Sequence, residues 1–190
     1  MRLKCVIAGL ALAAVGAGFR ATPGVAAVPS QTVLDSQSIV AIRKAYTEIE
    51  RSLRSYRRAR HDLVGFSTEG GYVDAWFEGP HLRKLAATYY GEMGRGSEEY
   101  YFVDDSLVFV LAATEHYDRP LTGHVVGRDE DRFYFEAQRL IRWVDSTHQQ
   151  RNPASHDAED RARDIQKTAR VLSMCARATQ SDTAACTAPN

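Results

Sequence analysis

No Walker loop, no dinucleotide-binding glycine motif after a strand, no HExxH and no GxSxG occurs in the 190 residues. That removes the commonest machinery for phosphate binding, hydride transfer, metalloproteolysis and serine hydrolysis. Cysteine is scarce, with three residues in all, and no Cys-x2-Cys pair exists to hold a structural zinc. Neither sign of charge is in excess: 24 Lys and Arg stand against 24 Asp and Glu. A general nucleic-acid binder is therefore not expected. Long apolar runs are missing too. The stretch from Val6 to Ala17 is too short to span a bilayer once Arg20 and a Pro/Gly/Ala segment follow it.

That stretch has another use. It follows a basic start, Arg2 and Lys4, and precedes the small residues Val25-Ala26-Ala27, the pattern of a secretory signal peptide cut after Ala27. An N-terminal anchor helix is the alternative. Cys5 lies before the apolar run, whereas a lipoprotein cysteine lies after it, so no lipid anchor is read. The chain then divides into a signal peptide at 1–27, a linker at 28–37, a single domain at 38–180 and a tail at 181–190. Loss of Arg2, Lys4 and Arg20 with the leader leaves 21 basic residues against 24 acids. A mature chain of about 160 residues suffices for one domain with a core of its own. Export also gives Cys175 and Cys186 a meaning: an even pair, close in sequence, reads as a disulfide pinning the tail to the last helix.

Two stretches carry helical periodicity. Ile39, Ile42, Tyr46, Ile49, Leu53 and Tyr56 recur in steps of three and four, with no Pro or Gly between them and Gly65 beyond. They predict an amphipathic helix over 38–62. Ala158, Ala162, Ile165, Ala169, Leu172 and Ala176 predict a second over 158–178. Ser155 is its N-cap, and Asp157, Glu159 and Asp160 fill its first turn, where the helix dipole favours acids.

Residues 71–145 are rich in Tyr, Phe, Trp, Val and Leu, with turn-prone breaks at 91–97 and 118–127, and read as strands. One figure is written three times: Trp76-Phe77-x4-Leu82, Tyr101-Phe102-x4-Leu107 and Tyr134-Phe135-x4-Leu140. If each x4 is the tip of a symmetric hairpin, Phe77–Leu82, Phe102–Leu107 and Phe135–Leu140 are cross-strand pairs on one face. Trp76, Tyr101 and Tyr134 then point to the other face, toward Arg83, Val108 and Ile141, because strand side chains alternate. The Phe face takes Phe77, Leu82, Tyr100, Phe102, Phe109 and Phe135. The opposite face takes Trp76, Leu85, Tyr101, Val108, Val110, Ile141 and Trp143. Both are apolar enough to need cover. The predicted fold class is α+β: an N-terminal amphipathic helix, an antiparallel meander of about six strands in three hairpins, and a C-terminal helix. Ala137-Gln138 stands out as an unusual tip sequence.

At "EEYYFVDDSLVFV" and "DRFYFEAQRLIRWVD" the chain resembles a loosely defined group of exported bacterial proteins of unknown function that carry a YYF-x4-L hairpin pattern. The resemblance covers about residues 70–145 and lacks the Asn-Gly tips expected of it. It implies no catalytic residue.

Candidate chemistry is sparse. Of His61, His81, His116, His124, His148 and His156, only the "TEHYDRPLTGH" segment groups potential partners, namely Glu115, His116, Asp118 and His124. Their spacing matches no metal site, so they read as polar residues at a strand end and its following loop before they read as a site. Glu98-Glu99 and Asp129-Glu130-Asp131 lack the alternating oxygens and Gly of a calcium loop. On the first predicted helix, Arg51, Arg54 and Arg58 form a stripe opposite Ile42, Ile49 and Leu53. That stripe is either a solvated face or a contact for an anionic surface. The reading that follows is an exported, periplasmic or secreted protein that works by binding, without metal or cofactor. Its partner is an envelope component or another protein. Two alternatives stand beside it: an inhibitor or immunity-type protein that presents the 118–127 loop to a secreted hydrolase, and an enzyme using Glu115 and His116 as an acid/base pair.

Overall fold

In chain order, helix α1 (Gln31–Ser52) leads through a 3-10 turn (Leu53–Ser55) into strands β1 (Arg57–Leu63), β2 (Gly71–Glu78), β3 (His81–Gly91) and β4 (Gly94–Val103). Strands β5 (Ser106–Tyr117), β6 (Val125–Glu136), β7 (Arg139–Val144) and β8 (Gln150–Arg151) follow, and helix α2 (His156–Arg177) closes the domain. The computed structural model describes residues 31–178 and 186–188. The leader and its cleavage point lie outside them. Residues 31–37 of the expected linker belong to α1.

The class is α+β as expected, but the meander has eight strands in the order β1 to β8, all antiparallel, not about six. The two additions are β1 and the short β8. Strand β1 replaces the last two turns of the predicted first helix. Around Ser52 the helical stripe is already giving way, and the Ser55 hydroxyl bonds the Ser52 carbonyl at 2.7 Å, a local bond that competes with helix. Beyond it, Arg57–Leu63 gains a full ladder on β2 and a buried carboxylate for its arginines. Tertiary pairing overrides the periodicity. Leu53 and Tyr56 still pack where the stripe would have put them, beside Ile42 and Ile49.

The three repeats are hairpins. Phe77 faces Leu82, Phe102 faces Leu107 and Phe135 faces Leu140. The two-residue tips use positive φ, as hairpin turns of the right twist require: 49° and 58° at Asp104-Asp105, 46° and 63° at Ala137-Gln138, and 58° at Gly79 before Pro80. One residue inside each tip the register shifts, every time at the same place. Trp76 therefore meets Lys84, Tyr101 meets Phe109 and Tyr134 meets Arg142, in place of Arg83, Val108 and Ile141. A bulge inserts one residue and reverses the in/out parity beyond it. That corrects the face assignments: Leu85, Val110 and Trp143 lie with the Phe pairs, and Phe109 lies on the opposite face.

The break expected at 91–97 shrinks to the turn Glu92-Met93, and Gly94 and Gly96 belong to β4. A Cβ on Gly94 would stand 2.2 Å from the Glu115 carbonyl oxygen, so only glycine permits the strands to close there.

Each face has its helix. Helix α2 covers the Phe face with Ala158, Ala162, Ile165, Ala169, Leu172 and Ala176, all buried. Ser155 caps it by accepting from the Ala158 amide at 3.3 Å. The small alanines let this helix approach the sheet closely. The Cys175–Cys186 disulfide is present, and the Val64 amide donates to the Cys186 carbonyl at 3.0 Å. The tail is thus clamped to the end of β1. Helix α1 lies on the other face over Tyr101, Phe109, Tyr134 and Ile141. It runs across the hairpin-tip half of the sheet, from Asp35, which pairs with Arg139 at 3.0 Å, to Glu50, which pairs with Lys84 at 2.7 Å. No described helix is long and apolar enough to cross a membrane.

Candidate functional site

The predicted arginine stripe is not one surface. Arg51 ends α1 and Arg54 lies in the 3-10 turn, both exposed, while Arg58 lies in β1. There the Arg58 and Arg60 guanidiniums each grip Asp74 of β2 with two hydrogen bonds, between 2.6 and 3.0 Å. Burial alone would raise the Asp74 pKa, but the hydrogen bonds from Arg60 and Arg58 outweigh it and hold the carboxyl below its usual value. The two arginines also stack on aromatics, Arg60 at 4.1 Å from the Tyr72 ring and Arg58 at 5.4 Å from Trp76. This arrangement fastens an edge strand whose charges also discourage further pairing.

The Glu115/His116 pair is separated by the sheet itself. Neighbours on a strand point to opposite faces. Glu115 accepts from Arg95 at 2.6 Å and Arg128 at 3.0 Å on the α1 face, whereas His116 meets Asp129 at 2.8 Å on the other. No acid/base pair forms from these two residues. Asp118 and His124 approach to 3.4 Å across their own loop. The group is thus three separate contacts.

Three other places are shaped by the fold. The first is a groove of about 320 Å³ where α1 meets β5 and β6, floored by Ile42, Phe109 and Tyr134 and flanked by Arg43, Tyr46 and Arg132. Burial, then the carboxylates of Glu50 and Glu99, pushes the Tyr46 phenol up.

A second, smaller cleft of about 160 Å³ opens on the Phe face beside Tyr89, Glu98, Asp131, Ser146 and Arg161. The hydroxyls of Tyr100 and Tyr89 donate to Glu98 at 2.5 and 3.3 Å. Burial pushes the Asp131 carboxyl up, against the Ser146 amide, Arg161 and the Trp143 indole. The cleft is also lined by Ser97, Thr114 and Ser146, and among the described residues none of their hydroxyls is hydrogen-bonded to a carboxylate or histidine.

The third place is the far end of the sheet. The β3–β4 turn and the β5–β6 loop meet there: the Leu121 amide donates to the Glu92 carbonyl at 2.8 Å and the Tyr117 amide to the Met93 carbonyl at 2.9 Å. The loop is braced internally, Asp118 amide to His124 carbonyl at 3.1 Å and Thr122 hydroxyl to Asp118 at 2.6 Å. Around this junction Tyr90, Met93, Leu121, Val125 and Val126 are exposed by 38, 53, 68, 42 and 61%. Sequence reasoning marked the loop but not its apolar crown. The signal available was Leu121 and the Val125-Val126 pair, set among turn residues.

Among the described residues, the one set of three metal-type donors that converges is His61 with Cys175 and Cys186. No family model, curated protein or solved structure gave a significant match to the chain.

Proposed function

We propose that the chain is an exported, non-catalytic binding protein that docks a protein partner through the end of the sheet where the β3–β4 turn and the β5–β6 loop meet. The observation that carries this reading is the exposure of Met93 and Leu121 on a turn and a loop fixed to each other by backbone hydrogen bonds, with Tyr90, Val125 and Val126 exposed at the adjoining ends of β3 and β6. Apolar side chains on a rigid frame lose little entropy on binding, and a clustered exposed apolar patch marks an interaction site where scattered ones do not. Next to it on the α1 face, Arg95 and Arg128 pair with Glu115, and Arg128 also with Glu130, giving a charged but paired rim. The signal-like leader and the disulfide support export. Arg51 and Arg54, exposed at the end of α1, form a secondary contact for an anionic surface.

The same loop supports the inhibitor or immunity-type reading, in which Leu121, held at φ 59° at the loop tip, enters a cleft of a secreted hydrolase. Mature protein immobilised on resin and exposed to envelope and medium fractions tests both. Wild type should retain a partner that the Leu121→Asp/Val126→Asp variant loses, while the variant melts within about 0.5 kcal/mol of wild type. A retained hydrolase whose activity falls on binding selects the inhibitor reading. Equal retention by both proteins removes the docking surface. Arg51→Gln/Arg54→Gln should weaken only the fraction of retention that salt also weakens.

A further inference from the structure

The imidazole of His61 reaches the disulfide from β1. One of its ring nitrogens and the two sulfurs of Cys175 and Cys186 lie within 4.8 Å of one another. The His61 backbone pairs with Val73 in the β1–β2 ladder, and among the described residues its imidazole has no side-chain hydrogen-bond or ion-pair partner. Both sulfurs are buried and the imidazole is partly exposed, so the histidine forms the solvent side of the corner.

We propose that reduction of this disulfide turns the corner into a Cys2His site for a thiophilic d10 cation, Cu(I) or Zn(II). The bound metal then takes over the cross-link that the disulfide makes. Reduction by a dithiol breaks the sulfur–sulfur bond, places one proton on each protein thiol and joins the two sulfurs of the reductant. Metal binding then releases the two thiol protons and uses the neutral imidazole lone pair. Metal–sulfur and metal–nitrogen bonds of about 2.3 and 2.0 Å put donors around one ion roughly 3.5–4 Å apart. The sulfurs must therefore separate by nearly 2 Å from the bonded distance of about 2 Å, while the imidazole nitrogen already lies within 4.8 Å of both. The tail stays within reach as they do so, because the Ala188 amide and the Cys186 carbonyl are tied to Val64 at 2.9 and 3.0 Å. Two thiolates and one imidazole satisfy trigonal Cu(I), and with one water they satisfy tetrahedral Zn(II).

The test uses mature protein reduced anaerobically with a phosphine and titrated with Co(II) as a spectroscopic probe. Competition with Zn(II), and with Cu(I) buffered by a chromophoric chelator, follows. Wild type should bind one equivalent with thiolate-to-metal charge-transfer absorption when reduced, and none when oxidised. The two affinities, each set against the availability of its ion, decide between Cu(I) and Zn(II). His61→Ala, which retains both cysteines and the oxidised fold, should bind at least roughly tenfold more weakly, and Cys186→Ser should lose the charge-transfer band's two-thiolate intensity. Metal should raise the melting temperature of the reduced protein toward that of the oxidised form. The proposal is overturned if reduced wild type binds no better than Cys186→Ser. It is also overturned if His61→Ala binds as wild type does, or if the reduced chain stays unfolded with metal present.

Discussion

The Lys84 ammonium of β3 sits 2.7 Å from the Glu50 carboxylate of α1, although Lys84 is only 5% exposed. Glu99 lies 3.1 Å away on its other side. The Tyr101 hydroxyl reaches the same two acids, at 2.8 Å to Glu50 and 2.5 Å to Glu99. A phenol has one proton, so it donates to one carboxylate at a time and Lys84 holds the other. Burial, then the Glu99 and Glu50 carboxylates, pushes the Tyr101 phenol far up, so it serves as a donor across the physiological range. The cluster locks the C-terminal end of α1 to the sheet. Replacing Lys84 by Met should leave two acids facing each other without a cation and cost about 3 kcal/mol. Lys84→Met/Glu50→Gln should recover part of that in a denaturant melt. A single variant as stable as wild type would show that α1 is held by its apolar stripe alone.

Phe102 is 4% exposed and pairs with Leu107 at the middle hairpin. Phe102→Ala should cost about 3–5 kcal/mol, the range for deleting a buried aromatic. Urea unfolding measures it, and a loss under about 1 kcal/mol would contradict the packing described for the Phe face.

The third tip places Ala137 and Gln138 at φ 46° and 63°, a region that side chains with a Cβ disfavour and that Asn-Gly occupies readily. The hairpin holds because α2 meets it: the Gln166 side-chain amide donates to the Gln138 carbonyl. Ala137→Asn/Gln138→Gly should raise stability by about 1 kcal/mol with the carbonyl contact retained. A decrease in melting temperature would mean that the native side chains contribute more than the strain they impose.

Asp74 is 5% exposed and is held by Arg58 and Arg60 together. With one arginine left the pair survives, so Arg58→Gln should cost no more than about 1 kcal/mol. Arg58→Gln/Arg60→Gln strands a buried carboxylate and should cost clearly more than Arg58→Gln alone. The Asp74 pKa is lower folded than unfolded. Its stabilisation is therefore complete above the usual carboxylate value near 4 and disappears as pH falls through the lower folded value. Chemical denaturation between about pH 5 and pH 2 should show a shallower loss for Asp74→Asn than for wild type. Parallel curves would mean that the arginines do not stabilise the ionised form.

Local pattern determined a good deal of this molecule by itself. The α2 stripe, its Ser155 cap, the three Phe/Leu pairs and the Cys175–Cys186 bond were all legible, because each depends on residues near one another in sequence or on a fixed period. What the tertiary structure decided was parity and competition. A bulge beside each hairpin tip moved Leu85, Val110, Trp143 and Phe109 to the faces opposite those simple alternation assigned, since no residue type announces an inserted strand position. Strand β1 took Arg57–Leu63 from the helix because Asp74, sixteen residues from Arg58, offers its arginines a buried carboxylate. The same alternation that builds the sheet put Glu115 and His116 on opposite sides, dissolving the one catalytic pairing the sequence offered. It also left the apolar crown around Leu121 and Met93 to emerge only where two loops, distant in sequence, share backbone hydrogen bonds.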